Sequence, residues 1–211
     1  AKVVKEITEE MNFDGIDINM GCPVPKVVAR GCCSGLIGNP ILAREIILAA
    51  KEATPLPVSV KTRIGIKSIV TEAWVASLLE AGPAALTIHG RLQKQMSDGV
   101  ADWNEIAKAV QVRNTLGLKI PILGNGDVSS LEDARTRCQK FQVDAAMIGR
   151  GIIQNPWLFS ENQRERTREE KMALLWEHTE LFEDIWGRTK NFQLLRHYYS
   201  IYCKGFPGAA E

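Results

Sequence analysis

The chain has 211 residues, with 26 basic and 25 acidic side chains and a formal net charge of +1. A hydrophobic share of 45% and a charged share of 24% describe an ordinary globular protein. These figures exclude a disordered acidic tail, a collagen-like repeat, a disulfide-dense miniprotein and a uniformly basic coat, and the length allows one or two domains.

No apolar run reaches the ~20 residues of a membrane-spanning helix. The longest, 41–50, is interrupted by Arg44 and Glu45. The opening AKVVKEITEEMNFDG has no signal-peptide core, and its charges recur at helical spacing. Five cysteines (Cys22, Cys32, Cys33, Cys138, Cys203) are odd in number and lack paired CxxC spacing. A reduced, cytoplasmic setting is expected. Without HExxH or paired CxxC, no metal site is expected either.

Short apolar, β-branched runs then recur in chain order: GIDINMG (15–21), LPVSVKT (56–62), AALTIHG (84–90), KIPILGNGD (119–127) and VDAAMIGRG (143–151). Helical patterns lie between them at 39–53, 69–81, 103–113 and 130–140. Asn39-Pro40 puts proline at a helix start, and SSLED opens the last helix with a serine cap and acidic residues. Strand alternating with helix predicts a parallel sheet with helices on its faces. The architecture is either an open doubly wound sheet or part of a (β/α)8 barrel.

Beyond Pro156 the rhythm changes. Residues 161–190 are charge-rich and helical, with Leu174, Leu175, His178, Leu181, Phe182 and Ile185 forming an apolar stripe that reads as core packing. A second helix over 191–204 carries Arg196, His197, Tyr198, Tyr199, Tyr202 and Lys204 before the break GFPG. The reading is an α/β domain over 1–160 and a helical domain over 161–211. Arginine beside tyrosines on the last helix could contact phosphate and stack on bases, although a packed, capped helix is the commoner meaning.

Polar residues gather just past the strand runs: Asn19 and Cys22, Lys61 and Arg63, His89 and Arg91, Asn125 and Asp127, and Arg150. In parallel α/β folds ligands collect at the carboxyl ends of strands, so these side chains are expected to share one mouth. Gly126 and Gly149 lie in GNGD and IGRG, whose backbone N–H groups suit a phosphate, with Arg150 adding charge. Singly such glycines are more often tight turns, but two such loops on the last two strands make a phosphorylated cofactor the leading expectation. There is no P-loop and no GxGxxG after a first strand. Cys22 in NMGCP could be a nucleophile, a general acid or an inert thiol. His89 could be a site residue or a satisfied polar group beneath a loop.

IDINMGCPVPKVVARG, VSVKTRIG, LTIHGR, ADW, ILGNGDVSS, MIGRGIIQNPWLF and KGFPGA, in this order, resemble the tRNA-dihydrouridine synthase family, closest to its bacterial DusB-like branch. The resemblance implies a (β/α)8 barrel followed by a helical domain, using FMN and NADPH to reduce uridines in tRNA to 5,6-dihydrouridine. It implies that Cys22 is the general acid toward C5, opposite hydride delivery to C6. It places Lys61, His89, Asn125, Gly126, Asp127, Gly149 and Arg150 on FMN, and Asn19, Arg63, Arg91 and Arg196 on the nucleotide or the tRNA. The rival readings are an FMN barrel acting on free pyrimidines and a non-catalytic RNA-binding remnant.

The chain also departs from the family. Five strands cannot close an eight-stranded barrel, which takes ~250 residues, so the fold expected is its last five β/α units with the opening strands outside this sequence. Gly31-Cys32-Cys33-Ser34 stands where the family has G-x-G-A, putting a side chain in place of a glycine at Cys33. LQKQMSDGV follows HGR in place of the usual threonine-rich stretch.

Overall fold

The computed structural model describes residues 1–196 and 198–206. His197 and the end of the KGFPGA motif, residues 207–209, lie outside the described residues. The chain divides into two compact units, Ala1–Gly149 and Arg150–Glu211.

In the first unit, helix α1 (Lys2–Glu10) precedes five parallel strands: β1 (Ile16–Met20), β2 (Val58–Arg63), β3 (Leu86–His89), β4 (Ile122–Asn125) and β5 (Ala145–Met147). They pair in sequential order, β1-β2-β3-β4-β5. Each predicted apolar run contains one of them. Between the strands lie the short helix α2 (Pro25–Val28), then α3 (Pro40–Glu52), α4 (Thr71–Glu80), α5 (Trp103–Thr115) and α6 (Leu131–Phe141). The caps are local chemistry. Asn39 Oδ1 accepts from Leu42 N with Pro40 in the first turn, and Ser130 Oγ accepts from Asp133 N.

Side chains alternate across a strand, so register sorts this sheet into two faces. One carries Met20, Val58, Val60, Leu86, Ile88 and Ile122, all buried with Ile47 of α3, Trp74 and Leu78 of α4, and Trp103 and Ile106 of α5. Thr62 sits on this apolar face with its hydroxyl answered twice. It donates to Met20 O at 3.1 Å and accepts from Trp74 Nε1 at 3.0 Å. Gly124 is a glycine because α5 lies directly on β4: a Cβ there would stand 2.3 Å from the Trp103 ring.

The other face is polar. Register pairs place Asn19 beside Lys61, Arg63 beside His89, and His89 beside Asn125. Hydrogen-bonding side chains therefore step across neighbouring strands on two adjacent levels, Asn19 and Lys61 on one and Arg63, His89 and Asn125 on the next, with strands about 4.8 Å apart.

The second unit contains α7 (Gly151–Gln154), the long α8 (Arg168–Trp186), and two single turns, α9 (Gln193–Arg196) and α10 (Tyr199–Tyr202). Thr167 and Glu170 cap α8 reciprocally, a T-x-x-E signal present in the sequence. The helix expected over 191–204 is instead these two turns. Tertiary contacts fix them separately: the Phe192 ring meets Phe182 edge-on at 6.2 Å, while Tyr202 OH lies 2.8 Å from His178 Nδ1. The apolar stripe of α8 packs only in part, since Leu181 and Ile185 remain 52% and 61% exposed. No helix among the described residues is long and apolar enough to cross a membrane.

Candidate active site

The loop after β1 carries Cys22 and is shaped by its neighbours' hydrogen bonds. Asn19 Oδ1 accepts from Gly21 N at 3.0 Å and Cys22 N at 3.1 Å, folding the chain back over the strand end. Ser34 Oγ donates to Cys22 O at 2.7 Å, and Arg63 Nε donates to Gly21 O at 2.8 Å. Gln93 Nε2 reaches from the loop after β3 to donate to Pro23 O at 2.6 Å. The Cys22 thiol itself is half-buried. Its backbone is held on both sides.

Cys33 lies on the same wall with φ of +50°, a left-handed conformation that favours glycine. Burial, then the neighbouring thiols Cys22 and Cys32, push its thiol pKa up, so it is protonated at neutral pH.

Lys61 is half-buried on the polar face. Burial first, and then Arg63, lower its pKa, while Asp17 opposes them. His89 is pushed down to about 3, chiefly by burial and then by Arg63, Lys61 and Arg91. Its imidazole is therefore neutral, and Nε2 lies 3.1 Å from Arg91 Nη1, which has only hydrogens to offer. Nε2 is the acceptor and the proton sits on Nδ1. Asn125 Nδ2 donates to Met147 O at 2.9 Å, tying β4 to β5 at the same end of the sheet.

The two remaining arginines of this row point their donors at protein. Arg63 is 5% exposed, and its Nη1 donates to Leu92 O and Met96 O besides the Nε bond to Gly21 O. Arg91 is 2% exposed; its Nη2 donates to both carboxylate oxygens of Asp127, at 2.7 and 2.8 Å, and to Gly99 O. Asp127 Oδ2 also accepts from Ala101 N at 2.8 Å. As placed, Arg63, Arg91 and Asp127 brace the loops around the strand ends. Most of their hydrogen-bonding capacity is thereby taken up within the protein.

Gly126, with φ of +125°, lets the β4 loop close on its surroundings: a Cβ there would stand 2.5 Å from Ala101 Cβ and 3.1 Å from His89 Cδ2. Gly149, just past β5, has open space where its Cβ would be. Arg150 opens the second unit and is exposed, as is Arg196 on α9. Asn19, Lys61, His89 and Asn125 are thus brought onto one face at two adjacent levels, a stepped row beside the Cys22 loop. Sequence reading missed Gln93, because nothing local marks a side chain that bonds 70 residues away.

The family model for dihydrouridine synthase (Dus) matches residues 1–211. The chain belongs to the dihydrouridine synthase family. It is 40% identical over 204 residues to a probable tRNA-dihydrouridine synthase of Staphylococcus epidermidis, a match covering 96% of this chain and 62% of that protein. The same identity and coverage relate it to a probable tRNA-dihydrouridine synthase of Staphylococcus aureus. Probable tRNA-dihydrouridine synthase 2 of Bacillus subtilis is 37% identical over 204 residues, again 96% of this chain and 62% of that protein. The chain therefore spans 62% of the length of the curated relatives it matches. Among solved structures, a Burkholderia cenocepacia protein provisionally described as a phosphonomutase matches with a TM-score of 0.53 at 17% identity, covering 72% of this chain and 68% of that one. At that identity the likeness concerns the fold alone.

Proposed function

We infer that the protein to which this chain belongs reduces specific uridines in tRNA to 5,6-dihydrouridine. The observation that carries this reading is the row Asn19, Lys61, His89 and Asn125 beside the braced Cys22 loop, in a chain of the dihydrouridine synthase family. The five strands are then the last five β/α units of a (β/α)8 barrel, and residues beyond 160 belong to a helical tRNA-binding domain.

The residues present fit one edge of FMN. A half-buried cation, Lys61, stands with a neutral imidazole and an amide on the open polar face, a donor set suited to a planar, hydrogen-bonding ring that gains negative charge on reduction. Gly149, with free space above its backbone, and Arg150 would serve the phosphate end. Asp127 and Gly126 would hold the loop beneath it. Bound FMN, reduced by NADPH, supplies hydride equivalents for C6 of the uracil.

Cys22 supplies the proton. Its thiol sits on a loop fixed at Gly21 O, Cys22 O and Pro23 O, which holds Sγ in one place relative to the strand ends. Transfer of the thiol proton to C5 completes the addition of two hydrogens across the uracil C5–C6 bond. Lys61 keeps positive charge beside the pyrimidine edge during that transfer. A stacked uridine must leave the helix stack to reach this row, and Arg196 with its neighbouring tyrosines would hold the backbone.

The test is direct. The 211-residue chain is titrated with FMN by absorption, then supplied with NADPH and unmodified tRNA, and dihydrouridine is counted by mass spectrometry. The reading expects flavin bound at one equivalent and product that Cys22→Ala reduces by at least ~100-fold, within the range of general-acid contributions. Equal turnover by Cys22→Ala removes the acid role. Reduction of free uridine in preference to tRNA would favour the free-pyrimidine class.

A further inference from the structure

The second unit contains a cavity of about 220 Å³ that the site above does not use. Arg164, Arg166, Lys171 and Lys204 line it, with Trp157 as an aromatic wall and Glu165 as the carboxylate among these residues. Resting on the tRNA reading above, we propose that this cavity seats a phosphate group of the RNA backbone.

The charge balance argues for an anion. Arg164 is answered inside the protein: its two terminal nitrogens grip the two carboxylate oxygens of Glu170, which also accepts from Thr167 N at 2.9 Å. That pairing, with the Arg164 hydrogen bond as its main cause, holds the Glu170 carboxyl down to about 2. Glu170 is thereby committed as the cap of α8. Arg166 Nη1 also lies 3.8 Å from that carboxylate, so Arg164, Arg166, Lys171 and Lys204 are set against Glu165 and Glu170, and the cavity keeps surplus positive charge.

Arg166 is incompletely satisfied. Its Nη2 donates to Asn162 O at 2.7 Å and its guanidinium stands 5.4 Å over the Trp157 ring. Its Nε is buried and, among the described residues, is the one such side-chain atom without a hydrogen-bond partner. An unanswered donor on a charged group is costly. A seated anion would offset the charge of this guanidinium through its more accessible edge, while Nε itself reports on the change in its surroundings. Lys171 Nζ donates to the backbone carbonyl of Lys204 at 3.2 Å, joining two residues of the cavity wall.

The chemistry favours phosphate over carboxylate. A carboxylate is satisfied by one planar guanidinium, as Glu170 is by Arg164. A phosphate spreads its charge over oxygens pointing in several directions, which suits a cavity lined by several separate cations, Arg166, Lys171 and Lys204 among them. Trp157 offers the neighbouring sugar or base a flat apolar surface.

The experiment uses the full chain and two probes, a short oligouridylate and inorganic phosphate. NMR follows the Arg166 Nε–H and the Trp157 indole N–H. Oligouridylate is expected to shift both signals. Lys204→Glu and Lys171→Gln, shown folded by circular dichroism, should each weaken its binding at least tenfold and lower the salt slope by about 0.7. Lys204→Arg should restore it. Shifts with inorganic phosphate but none with oligouridylate would make this a free-phosphate site and overturn the proposal, as would silence with both. The two readings separate cleanly: failure to reduce tRNA while oligouridylate still binds here removes the activity and leaves the cavity. Normal tRNA reduction with unchanged salt slopes in both variants removes the cavity.

Discussion

Gln93 donates its side-chain amide to the carbonyl of Pro23 at 2.6 Å, joining the loop after β3 to the loop that carries Cys22. Arg63 makes the same connection from beneath, with Nε on Gly21 O and Nη1 on Leu92 O and Met96 O. The stretch in which the chain departs from its family, LQKQMSDGV, thus supplies both a donor and two acceptors to the clamp on the proposed acid.

Gln93 acts through that clamp and is a positioning residue. Gln93→Ala leaves Pro23 O unanswered and frees the loop on one side, at a stability cost of about 1 kcal/mol. Proton transfer depends on placement, so turnover should fall roughly 10-fold or more with KM for tRNA little changed. Alkylation of Cys22 by iodoacetamide should quicken in the same variant. Unaltered alkylation and turnover would confine Gln93 to loop packing.

Arg91 and Asp127 form the most enclosed ion pair on the polar face, with side-chain exposures of 3% and 28%. Asp127→Ala strips Arg91 of its carboxylate while leaving Gly99 O, Asp98 O and His89 as partners. A buried charge left without its counter-charge costs about 3 kcal/mol. Urea unfolding should show a loss of that order. Asp127→Asn, which keeps an acceptor for Ala101 N, should lose less.

The strands were legible because β-branched runs are bounded by turn residues, and alternation with helices implied parallel pairing; the residues left a doubly wound order and a sequential one both open, and only the family resemblance chose between them. The polar residues Asn19, Lys61, His89 and Asn125 were legible for the same reason: each falls within the last three residues of its strand. What stayed hidden was direction. For Arg63 and Arg91 the sequence marks only cations past strand ends; the carbonyls and carboxylate they bond, such as Gly21 O, Leu92 O and Asp127, come near only on folding. The last helix was misread because aromatic contacts from Phe192 and Tyr202 to α8, rather than local propensity, decide where each turn stops.

Cys33 holds a left-handed backbone, φ +50°, with a side chain that costs about 1–2 kcal/mol there. Glycine adopts that conformation freely but loses more entropy on folding, so the two effects oppose each other. Cys33→Gly should stabilise the chain by roughly 0.5–1 kcal/mol, measured as a rise in the urea midpoint at constant slope. Destabilisation would mean that packing of the thiol against the Cys22 loop outweighs the backbone strain.

His89 makes folding sensitive to acid. Its folded pKa, about 3, lies well below the ordinary value of 6.5. On acidification the unfolded chain therefore takes up this proton first. The contribution of neutral His89 is fully present above pH 6.5 and drains away as pH falls toward 3. Between those limits unfolding binds one extra proton at this site, a slope of about 1.4 kcal/mol per pH unit. His89→Gln keeps an acceptor for Arg91 and removes the titration. Urea unfolding at pH 7.5 and pH 5 should then show a wild-type stability that drops more steeply than the variant's. Parallel pH profiles would mean that His89 is protonated in the folded protein, and the Arg91 contact would have to be drawn with a different partner.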